Sequence, residues 1–78
     1  MLDGILGGSD TDRIERKIKR LNAIRAEYEA DIADLKKRLK RDDISKEKYE
    51  RLSALAQMKV DRIVSQVKVL RLKKERIS

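Results

Sequence analysis

"KRLKRDDISKEKYERL", Lys37 to Leu52, joins two stretches of helical periodicity through Asp42, Asp43 and Ile44, and its reading as a corner or a site decides the fold. Ser45 suits a helix N-cap. Ile44 then lies just outside the helix and Tyr49 at its fourth position, the two ends of a hydrophobic staple. Asp42 and Asp43 fall in the turn, where carboxylates accept from free backbone amides and face the positive start of the next helix. A metal would need further oxygen or nitrogen ligands that the neighbouring residues do not supply. The stretch predicts a corner.

On its N-terminal side Ile14, Ile18, Leu21, Tyr28, Ile32, Leu35 and Leu39 alternate steps of four and three, with Arg25 in one seam position. That is a heptad with a single apolar seam. Ser9, Asp10, Thr11 and Asp12 offer caps, and Asp12 with Glu15 puts negative charge at the helix start, so a helix is expected over about 11–41. On the C-terminal side Tyr49, Ala56, Val60, Ile63, Val67, Leu70 and Ile77 repeat the heptad, with Ser53 and Lys74 as polar members and Leu52 beside it. A turn at about 42–45 and a second helix over about 45–77 follow.

Folding back near residue 43 pairs positions whose numbers sum to about 87, which sets Leu39 against Tyr49, Leu35 against Leu52 and Ile32 against Ala56. Tyr28 meets Val60, Leu21 meets Val67 and Ile18 meets Leu70. Each apolar residue finds another. The expected fold is all-α, an antiparallel two-helix hairpin of coiled-coil type over residues 11–78, preceded by a leader at residues 1–10.

The stretch "LKKRLKRDDISKEKYERL", Leu35 to Leu52, is similar to the short C-terminal SHOCT module, in which a leucine-rich helix leads through a tight turn to Ile-Thr/Ser, acidic residues and an aromatic. Asp42-Asp43 stands where that family carries a glycine, and the second helix runs longer than the module does. The resemblance implies a helical association module of the kind appended to larger proteins.

With 78 residues the chain has room for one small domain, and proline, cysteine, histidine, tryptophan and phenylalanine are all absent. Disulfides are excluded, and the common zinc and redox-metal sites lose their usual ligands. Acid–base chemistry would fall to unaided carboxylates or lysines, so neither an enzyme nor a cofactor is expected. The chain has no secretory h-region and no run approaching ~18 apolar residues, so the expectation is a cytoplasmic protein without a membrane span. The leader holds Met1, Leu2, Ile5 and Leu6 before Gly7-Gly8, which suits docking on the hairpin's apolar edge or on a partner. It lacks the Lys-Ser/Thr of a phosphate loop.

A lone hairpin seam buries little apolar surface against the ordering entropy of its chain, so self-association into a helical bundle is expected. Leu55, Met58, Val69 and Leu72 form a second stripe on the later helix, well away from its seam. Ala23, Ala26, Ala30 and Ala33 give the earlier helix a smooth back where another backbone can approach. These eight residues are the candidate oligomer interface. Arg25 is expected to pack its stem in the seam and send its guanidinium toward Glu29 or Asp61, with a role in fixing register.

Charge is concentrated at the ends. Arg13, Arg16, Lys17, Lys19 and Arg20 stand against Glu15, and Lys68, Arg71, Lys73, Lys74 and Arg76 against Glu75, a net +4 in each segment within an overall +7. The hairpin brings the two segments together, while Glu27, Glu29, Asp31 and Asp34 make the middle of the earlier helix acidic. A second basic cluster, Lys36, Lys37, Arg38, Lys40 and Arg41, flanks the corner. The ten cations of the open end are the candidate nucleic-acid contacts, and nucleic acid or a ribonucleoprotein is the expected partner. No zinc finger, RNP motif or glycine-containing helix-turn-helix is present, so binding would be driven by shape and charge. The competing expectation is a protein-assembly scaffold or adaptor whose charges serve solubility and partner choice.

Overall fold

The computed structural model describes residues 9–77. Two helices of equal length, α1 (Ser9–Lys40) and α2 (Lys46–Ile77), pack along each other as an antiparallel hairpin. Helix α1 includes Ser9 and Asp10, which the sequence reading placed in the leader; the remainder of that leader lies outside the described residues. Asp10 and Asp12 therefore sit inside the first turn, where their charge opposes the positive helix end.

The corner is built from backbone hydrogen bonds. The Asp43 amide donates to the Arg38 carbonyl at 2.9 Å and the Asp42 amide to the Leu39 carbonyl at 3.1 Å, while Asp42 has φ of 60°. This is a Schellman C-cap, with Asp42 in the left-handed position that glycine usually fills. Ser45 then caps α2, its Oγ accepting from the Lys48 amide at 3.1 Å, and its carbonyl accepts the first helical bond from the Tyr49 amide at 2.9 Å. Ile44 and Tyr49 are both half-buried, as a hydrophobic staple requires.

Every expected seam position from Ile14 to Lys74 is buried or half-buried, and among the described residues only Val60, Ile63 and Val67 are deeply buried. Ile77 is the exception. It is 51% exposed in the last turn of α2, so it extends past the packed part of the seam. Two cross-helix contacts fix the register: Tyr28 with Lys59, whose numbers sum to 87, and Glu15 with Lys74, which sum to 89. The expected sum near 87 matches the first and lies within two residues of the second.

Extents of 59 × 19 × 11 Å describe a rod one helix layer thick, so a residue off the seam meets solvent unless another molecule covers it. Both open sides of the seam are shallow grooves. One is lined by Lys17, Asp31, Lys59 and Lys73, the other by Glu15, Asn22, Val64 and Arg71. No helix among the described residues is long and apolar enough to cross a membrane.

Candidate nucleic-acid interface

Helical periodicity gathers four of the candidate cations into one row. Arg13, Arg16, Lys17 and Arg20 follow steps of three, one and three, and with Leu21 they line a continuous exposed surface on α1. Lys17 also lines the adjoining groove, where Lys73 approaches from α2 together with Ser65, Gln66, Val69 and Leu70. At this end neither surface has an acidic residue in its lining; Asp31 and Asp34 lie farther along the same side. Arg13, Arg16, Lys17, Arg20 and Lys73 are all without an ion pair among the described residues.

The other candidate cations lie differently. Lys19, Arg71 and Lys74 share the opposite groove with Glu15 and Glu75, and there Lys74 Nζ meets Glu15 Oε1 at 2.6 Å. Hydrogen bonding and the charge of Lys74, aided by Lys19, hold the Glu15 carboxyl below the ordinary carboxylate range. Lys74 thus already has a carboxylate partner within the hairpin. Lys68 lies farther along with Asn22, Arg25, Val64 and Arg71, and Arg76 is exposed in the last turn of α2.

The hairpin thus brings both basic segments to one end but divides them between two sides. Their charge is also diluted. Asp10 and Asp12 in the first turn of α1 join Glu15 and Glu75, so ten cations face four carboxylates, a net +6 instead of +8. The corner cluster is more fully neutralised: Arg38 Nε pairs with Asp34 at 3.0 Å and Arg41 Nε with Asp43 at 3.3 Å. Asp42 and Asp43 accordingly belong to the corner's hydrogen bonds and ion pair, and no group of three acidic side chains suited to a metal occurs among the described residues.

The candidate association residues are exposed: Leu55, Met58, Val69 and Leu72 on α2, and Ala23, Ala26, Ala30 and Ala33 on α1. The two rows are not one patch. Each points away from the seam of its own helix, which places them on opposite outer faces of the hairpin. The α2 row is interrupted by Arg62 and Ser65 at the same heptad positions.

Arg25 turns to Glu29, with Nε 3.8 Å from Oε1, while Asp61 accepts instead from Gln57 Nε2 at 3.0 Å. Arg25 Nε is buried and has no hydrogen-bond partner among the described residues. Both tyrosines are occupied in packing: Lys59 Nζ sits 5.3 Å from the Tyr28 ring centroid, and Tyr49 is at the corner. The open end therefore has no aromatic platform for bases.

Sequence reasoning missed the Glu15–Lys74 pair, the Lys59–Tyr28 contact and the partial burial of Asn22 and Ile24. The signal for all four lay in the positions flanking the seam, which a two-position heptad reading leaves out. Compared with models of known protein families the chain matches none, and neither a curated protein nor a solved structure matches it.

Proposed function

We propose that this chain is a non-catalytic helical hairpin that binds nucleic acid, alone or within a ribonucleoprotein, by phosphate contacts at its open end. The observation that carries the reading is the group Arg13, Arg16, Lys17, Arg20 and Lys73: exposed, contiguous, clear of ion pairs among the described residues and without a carboxylate in the lining. At about 1.5 Å per residue Arg13 and Arg20 are about 10 Å apart along α1, a span that reaches successive phosphates of a strand. With neither tyrosine available for stacking, charge supplies the affinity.

Titration of labelled duplex DNA by fluorescence anisotropy at several salt concentrations tests this. Neutralising about five phosphates predicts a slope of log K against log salt near −4.5. Changing Arg13, Arg16, Lys17, Arg20 and Lys73 together to Gln should abolish that slope and weaken all sequences alike, with helicity by circular dichroism unchanged. No binding by the wild type at low salt, or full binding by the variant, would overturn the proposal.

A second reading, a protein-assembly scaffold or adaptor, is favoured by six large apolar side chains left exposed against three buried among the described residues. The SHOCT-like stretch at the corner points the same way. A pull-down that retains one protein after nuclease treatment supports this reading over the first.

A further inference from the structure

The exposed row on α2 has a symmetry of its own. Leu55 and Leu72 sum to 127, and so do Met58 and Val69, and Arg62 and Ser65, which places the centre of the row between residues 63 and 64. All six are outside the seam, and the four apolar ones are 49–59% exposed. A twofold axis through that centre, perpendicular to α2, maps the row onto itself. Self-mapping of this kind is what an interface between two identical chains requires.

We infer that two copies pair through the outer faces of α2, antiparallel, with Leu55 against the partner's Leu72, Met58 against the partner's Val69, and Arg62 against the partner's Ser65. The charges select this arrangement. Asp61 and Lys68 flank the row and sum to 129, within the two-residue offset between the centre and flank of an antiparallel helix pair, so Asp61 meets the partner's Lys68 twice by symmetry. Within the chain neither has an ion pair among the described residues; Asp61 only accepts from Gln57.

A parallel pair would instead set Arg62 against the partner's Arg62 and the basic open ends against each other. The alanine row of α1 is also symmetric, since Ala23 and Ala33 sum to 56, as do Ala26 and Ala30. Its centre, however, is flanked by Glu27 and Glu29, which a twofold axis would bring toward the partner's own carboxylates. The α2 pairing also brings Arg62 within three residues of the partner's Arg62, but each faces the partner's Ser65, and its Asp61–Lys68 pairs favour it over the alanine row.

The chain has no cysteine, so introduced ones give a clean readout. Mass by sedimentation equilibrium should be that of a dimer at micromolar concentration. Met58→Cys with Val69→Cys should form an interchain disulfide on mild oxidation. Met58→Cys alone should not, because positions 58 and 58 of the two copies are 11 residues, about 16 Å, apart along the axis. Asp61→Lys should weaken dimerisation about tenfold by creating two like-charge contacts, and adding Lys68→Asp should restore it. A wild-type monomer at 100 µM or so, faster cross-linking of the single cysteine than of the pair, or no rescue by the charge swap would overturn the assignment.

Discussion

Arg25 is the residue where the hairpin's own rules are broken. Its stem occupies a seam position, its Nε is buried without a hydrogen-bond partner, and the carboxylate of Glu29 is too distant at 3.8 Å to supply a hydrogen bond. A buried donor left unsatisfied costs about 1–3 kcal/mol, more than a half-exposed ion pair of this length returns. Arg25→Leu should therefore stabilise the hairpin by about 1–2 kcal/mol in chemical denaturation. If Arg25 holds the register, the same change should broaden the transition or add higher oligomers by light scattering, as polar seam residues do when removed. A less stable variant would mean that the guanidinium has a partner in solution.

At the scale of elements, the corner is where local chemistry substitutes for glycine. Left-handed φ costs a side-chain-bearing residue about 1–2 kcal/mol, and aspartate tolerates it better than most. Asp42→Val should lower stability by about 1–2 kcal/mol, whereas Asp42→Gly should leave it level or slightly raised; thermal unfolding of the two distinguishes a strained corner from a relaxed one. A valine variant as stable as the wild type would show that the corner does not need the left-handed residue.

The helices and this corner were legible in the residues. Heptads of opposite direction meet only one way, and Ser45, Ile44 and Tyr49 mark the second helix start. What was not legible came from two-sidedness. Glu15 reads as a helix-start charge and Lys74 as a polar seam member, and only the register brings them to 2.6 Å. The basic row of α1 was visible as composition, but its separation from Lys19, Arg71 and Lys74 depends on which side of the seam each cation occupies. Ile77 misled because periodicity continues after packing has ended.

For the whole molecule, a rod 11 Å thick with three deeply buried side chains among the described residues leaves most apolar contact incomplete, so the proposed pairing through the outer face of α2 would be coupled to the folding of the hairpin. In the antiparallel dimer the positions of Leu72 are 17 residues apart along the axis, about 25 Å, so the two basic open ends point in opposite directions. Their mutual repulsion would thereby be reduced, and the two α1 basic rows, if they bind phosphate as proposed, would be available to one polymer, where the second contact is intramolecular. Coupling of folding to the proposed pairing would make the thermal midpoint depend on concentration. Each tenfold increase adds about 1.4 kcal/mol to the folded dimer, which for a unit of two such chains raises the midpoint by about 3–5 °C. Leu55→Glu with Leu72→Glu should remove that dependence and lower the midpoint at every concentration. A wild-type midpoint unchanged from about 1 to 100 µM would show that the hairpin folds without its partner, and would confine the outer row of α2 to binding after folding.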